Sequence, residues 1–142
     1  MMWSGLGMSD DNAVMISPEQ YLQIASPAVE KICSKLGGPA FHSCGDWSGW
    51  IEAVLQIKGI LMADGAFSGE TDPGATDNPE AFHAFAGTGV VLNARIVGNL
   101  ETVETQVRRL WCPGMKLVVV TYCQTPEEQA LAYDLIHEIC CK

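Results

Sequence analysis

Apolar residues along this chain alternate between helical spacing and short unbroken runs, and the two patterns divide it into helices and strands. Tyr21, Ile24, Ala28, Ile32 and Leu36 recur at helical intervals over residues 17–36. Ser17 is placed to cap that helix, Pro18 suits its first position, and Gln20 stands where a capping box places Glu or Gln. Gly37-Gly38 stops it, and Pro27 kinks it or divides it in two. A short strand follows over 39–44 and leads to Gly45. Residues 47–58 read as a helix with Trp50, Val54, Leu55 and Ile57 apolar, ended by Gly59.

A second strand spans 60–67. The polar stretch 68–78, rich in Gly, Thr and Asp, is a loop. Asn78-Pro79-Glu80 opens a short helix with Phe82 and Phe85, and 89–96 is a third strand. A helix over 101–111 breaks at Cys112-Pro113-Gly114. Residues 116–122 form the clearest strand, with four consecutive apolar residues at 117–120. Thr125-Pro126-Glu127-Glu128 then opens a final helix through Ile139.

Continuous apolar strands between helices indicate an α/β fold with a parallel sheet buried on both faces. No linker or low-complexity segment interrupts the 142 residues, so the chain reads as one domain. Residues 1–16 read as an entry loop, neither a signal sequence nor a first strand.

A chain 48% hydrophobic and 18% charged supports a real core. The formal net charge of −9 argues against nucleic acid or an anionic membrane surface as partner. No apolar run approaches the length needed to span a bilayer, and no basic, hydrophobic leader opens the chain. The six cysteines are unevenly spaced, which favours free thiols in a reducing cytoplasm over a disulfide framework.

The candidate chemistry centres on His42-Ser43-Cys44-Gly45 and Cys123. Side chains two apart on a strand share a face, so His42 and Cys44 point together. A second strand-end cysteine, Cys123, would complete a set of one imidazole and two thiolates. That set prefers zinc and leaves its fourth position open. The competing reading is a buried histidine beside packed cysteines. Asp64, at the end of the second strand, is a fourth zinc ligand, a substrate contact or a solvated loop acid. Asn93 and Arg95 share one strand face. Arg95 either pairs with an inward acid such as Asp64 or projects at the rim toward an anionic substrate, because a buried unpaired guanidinium is costly. Asp10 and Asp11 cap a turn or line the same mouth. Glu70, Asp72 and Asp77 read as solvated loop charges, His83 and His137 as surface or interface residues, and Cys33 as packing. No residue is singled out as catalytic.

Several of these segments resemble the C-terminal half of the uroporphyrinogen decarboxylase superfamily, which includes zinc-dependent, cobalamin-linked methyltransferases. Ser9-Asp10-Asp11 leading to Ile16-Ser17-Pro18-Glu19-Gln20-Tyr21 is similar to the loop and helix before the fifth barrel strand. His42-Ser43-Cys44-Gly45-Asp46 resembles the metal-binding strand end of the methyltransferase branch. Val97-Gly98-Asn99-Leu100-Glu101 resembles the family's Gly-Asn turn. Cys123 before Thr125-Pro126-Glu127-Glu128-Gln129 resembles the last strand end and its helix, although only Gln124 intervenes where the family carries a longer loop.

The resemblance implies about half of a (β/α)8 barrel, its last four strand–helix units, with Met1 an internal methionine. A whole barrel takes about 250 residues. It also implies zinc on His42, Cys44 and Cys123, with Asp11, Asp64 and Arg95 toward the substrate. The implied reaction moves a methyl group from a methylated corrinoid, carried by a partner protein, to a small thiol. The chain itself has no Asp-x-His-x-x-Gly cobalamin signature. Alternatives are a metal-free decarboxylase-like lyase, whose N-terminal Arg and Asp residues this chain cannot supply, and a non-catalytic half-barrel. Either way the open edges call for a second copy or an N-terminal half-barrel partner.

Overall fold

A computed structural model describes residues 6–141. Five parallel strands form one sheet in sequence order: β1 (Leu6–Ser9), β2 (Pro39–His42), β3 (Met62–Ala66), β4 (Val91–Arg95) and β5 (Lys116–Val120). Between them run α1 (Pro18–Ile24), α2 (Ser26–Cys33), α3 (Ile51–Gln56) and α4 (Leu100–Leu110), and α5 (Pro126–Cys140) follows β5. A 3₁₀ turn over Ser48–Trp50 precedes α3, and a 3₁₀ segment over Pro79–Phe85 links β3 to β4. The strand order never reverses. Right-handed crossovers therefore stack every helix on one side of the sheet, the arrangement of part of a (β/α)8 barrel. None of the helices among the described residues is long and apolar enough to cross a membrane.

Sheet register separates the two faces. Met8, Phe41, Ala63, Leu92 and Leu117 align on the helix side, where Phe41, Ala63 and Leu92 are fully buried. Ser9, His42, Asp64, Asn93 and Val118 align on the opposite side, the face that lines the interior of a closed barrel. Beneath the helices lies an aromatic core. Trp47 meets Phe82 edge-to-face at 4.8 Å and Phe41 at 5.3 Å, and Tyr21 meets Trp50 at 5.5 Å.

The capping expectations hold. The Ser17 hydroxyl accepts from Gln20 N, and the Gln20 side chain accepts from Ser17 N in return. Thr125 caps α5 in the same way by accepting from Glu128 N.

Several expectations differ from what is found. The sheet is not buried on both faces, since Val118, on the side away from the helices, is 46% exposed. The entry loop contains β1, a fifth strand; its side chains include a glycine and a serine, so it lacked an apolar run. The part of that stretch before Leu6 lies outside the described residues. The helix expected over 17–36 is two helices, because Pro27 has no N–H for the turn before it and the chain breaks at Ala25. Finally, Ile24, Ile32 and Leu36 do not face the core but are 72%, 54% and 49% exposed. The buried stripe runs instead through Tyr21, Leu22, Ala25, Val29 and Cys33. Both stripes have helical spacing and share Tyr21, which packs against Phe41 and Trp50; burial separates them only at the residues beyond it.

Candidate metal centre

The C-terminal ends of β1 and β2 build the site. β1 pairs with β2 up to Ser9 opposite His42, and the ladder continues as Asp10 N donates to the His42 carbonyl at 2.8 Å. The chain then turns, and Asp11 swings over the end of β2. Its Oδ1 accepts from the Cys44 backbone N–H at 2.9 Å, and its Oδ2 from the Ser9 hydroxyl at 3.2 Å. Gly45 adopts φ +72°, a left-handed conformation that carries the chain out of the strand and is cheapest for glycine. Its N–H donates to Asp72 Oδ2 at 2.8 Å, while Asp72 Oδ1 accepts from Gly74 N at 2.8 Å. Asp72 is therefore a clasp between the site and the 68–78 loop, not a solvated charge as its polar surroundings suggested.

Donor atoms of Asp11, His42 and Cys44 all lie within 4.8 Å of one another. His42 Nε2 is 3.5 Å from Asp11 Oδ1 and 3.9 Å from Cys44 Sγ. Ligands held tetrahedrally at about 2.0–2.3 Å from zinc stand roughly 3.3–3.6 Å apart, a spacing that the two contacts of His42 Nε2 approach to within a few tenths of an ångström. One carboxylate, one imidazole and one thiol make a donor set that zinc accepts, and they leave a fourth position open.

The rest of the row supports His42. Its Nδ1 is hydrogen-bonded to Asp64 Oδ2, and Asp64 Oδ1 accepts from Asn93 Nδ2 at 2.8 Å and from Arg95 Nε at 3.2 Å. Arg95 thus takes the inward-acid partner, and its Nη2 is buried without one. Asp64 has both oxygens occupied by protein groups.

Cys123 is not among the gathered donors. It follows β5, three strands away from β2 and roughly 14 Å across the sheet at ordinary strand spacing. There it lines a separate cleft with Gly98, Asn99 and Glu128. Among the described residues, the group gathered beside His42 and Cys44 that could hold a metal is Asp11. Spacing along the sequence carried no sign of that exchange, because it depends on β1 pairing beside β2. Of the remaining groups, Cys33 is fully buried, and His83 Nε2 bonds the Arg109 carbonyl at 3.0 Å.

Cys44, His42 and Asp64 also have the composition of a nucleophile, a base and an orienting acid. Electrostatics oppose that use. The neighbouring Asp11 carboxylate and, after it, burial push the Cys44 thiol above its ordinary range. Asp11 is correspondingly held low by the Cys44 N–H and thiol. A raised thiol pKa disfavours the nucleophilic thiolate, whereas a divalent cation would displace the thiol proton and could use the same carboxylate.

No family model, no curated protein and no solved structure matches this chain.

Proposed function

We propose that this chain is the C-terminal part of a uroporphyrinogen decarboxylase-like barrel of the methyltransferase branch. In this reading it binds zinc on Asp11, His42 and Cys44, and it moves a methyl group from a methylated corrinoid on a partner protein to a small thiol. The observation that carries the reading is the convergence of three donors at the strand-end rim, with His42 held from behind by Asp64. The rim at the C-terminal ends of the strands is where barrels of this kind hold their chemistry. Zinc bound there would hold a thiol substrate in its nucleophilic thiolate form. The chain's own contributions are the donors, the clasp of Asp72 on the Cys44–Gly45 turn, and the Arg95 guanidinium facing the same side of the sheet, suited to an anionic group on the substrate.

A partner that completes the barrel belongs to this proposal. Whereas α4 buries Val103, Val107 and Leu110, the longer α5 buries only Ala132 and leaves Leu131 and Tyr133 57% and 60% exposed. A helix packs across its own strand and the next one, so α5 and the edge of β5 await a neighbouring strand. An N-terminal half-barrel or a second copy would supply it.

The test is elemental analysis of the reduced, tag-free protein together with its mass in solution. About one zinc per chain is expected, lost in Cys44→Ala and His42→Ala and retained in Cys123→Ala. Stoichiometric zinc in both Cys44→Ala and His42→Ala, or none in the parent after reconstitution, would overturn the ligand set.

A further inference from the structure

We infer that Asp64 is a positioning residue that selects the ring tautomer of His42 and keeps Nε2 open toward Asp11 and Cys44. The parallel register places Asp64 directly across from His42, and Asn93 directly across from Asp64, all on one face of the sheet. The Asp64 side chain is 14% exposed. The hydrogen bonds on it have one possible polarity. Arg95 Nε can only donate, so the Asp64 oxygen it meets is an acceptor. Asn93 must turn its amide N–H to that same oxygen for the same reason. The second oxygen, Oδ2, is left to accept from His42 Nδ1, which therefore carries the proton. In a neutral imidazole the other nitrogen then holds a free lone pair. That nitrogen is Nε2, which stands 3.5 Å from Asp11 and 3.9 Å from Cys44. Asn93 and Arg95 both donate to the carboxylate that sets the ring.

The inference takes Nε2 as the donor of the proposed metal centre, but its primary test needs no metal. Nitrogen-15 NMR of the metal-free protein, at a pH where the ring is neutral, reads the His42 tautomer directly, with His42→Gln identifying the signal. The parent is expected to hold the proton on Nδ1. In Asp64→Asn the amide can turn a donor toward Nδ1, and the proton is expected to move to Nε2. In Asn93→Ala, which leaves the carboxylate in place, the parent tautomer is expected to persist. A parent ring protonated on Nε2, or an Asp64→Asn ring unchanged in a folded protein, would overturn the inference. If Asp64→Asn fails to fold, the parent and Asn93→Ala spectra decide it. Zinc titration is the second arm, with affinity in Asp64→Asn expected to fall about 10–100-fold. A parent that shows the expected tautomer but binds no zinc would sustain the role of Asp64 and refute the metal centre.

Discussion

Replacing Asp72 with Asn tests whether the clasp on the site's exit turn is electrostatic. The carboxylate accepts two backbone N–H bonds at 2.8 Å, one from Gly45 and one from Gly74. Those donors, Gly45 first, hold its pKa below the ordinary carboxylate range. A hydrogen bond to a charged group contributes about 1.5–3 kcal/mol, and a half-buried site takes the lower end. Asparagine keeps one acceptor and sets its amide hydrogens against the other N–H, so one bond is lost, a cost of about 1.5–2 kcal/mol. With a urea slope of about 1.5 kcal/mol/M, the midpoint should fall by roughly 1 M.

The pH dependence has a definite sign. A carboxylate with a lowered folded pKa stabilises the protein above its unfolded pKa of about 3.9, and that stabilisation is lost as pH falls through the folded value. The gap between parent and Asp72→Asn should therefore be constant from pH 7 to about 5 and close below about 4. Other carboxylates titrate in both proteins and cancel. The assay is urea unfolding by circular dichroism at a series of pH values. A gap that persists undiminished to pH 3, or an Asp72→Asn protein as stable as the parent at pH 7, would refute the reasoning.

Three further outcomes follow from other contacts. Trp47, 1% exposed and in edge-to-face contact with Phe41 and Phe82, should cost about 3–5 kcal/mol on truncation to Ala; a loss below about 1.5 kcal/mol in chemical unfolding would mean the core refills the space. Because the Asp11 carboxylate raises the pKa of the Cys44 thiol, Asp11→Asn should speed alkylation of Cys44 by iodoacetamide several-fold at pH 8 in the metal-free protein; site-resolved mass spectrometry showing an unchanged or slower rate would remove that coupling. Gly98 has φ +154°, and a Cβ there would lie 2.8 Å from Thr102, the residue whose N–H the α4 cap Asn99 receives; Gly98→Ala should destabilise by about 1–3 kcal/mol, and a neutral result in thermal unfolding would contradict the strain.

Local elements and their class follow from residue order alone. Ser17-Pro18-Glu19-Gln20 and Thr125-Pro126-Glu127-Glu128 announce helix starts because capping is chemistry between residues three apart. The run 117–120 announces a strand, and alternating strands and helices imply a parallel sheet. The shared face of Asn93 and Arg95 is likewise legible, since strand geometry alternates side chains whatever the strand pairs with; β2 ends at His42, so Cys44 approaches it from the exit turn and not by strand alternation.

Pairing across the sheet was left to the tertiary structure. β1 is short and weakly apolar, and it becomes a strand only because the edge of β2 offers it hydrogen-bond partners. That pairing is what brings Asp11 over Cys44, across a separation of 33 residues in the chain. Register likewise sets Asp64 behind His42, and strand order keeps Cys123 apart from both. The burial stripe of the first helices followed the same rule, since two stripes of helical spacing share Tyr21 and only packing separates the rest. Spacing along a chain fixes which side chains share a face of one element. Which faces meet depends on free energies of contact between segments far apart in sequence, and these arise only once the sheet has assembled.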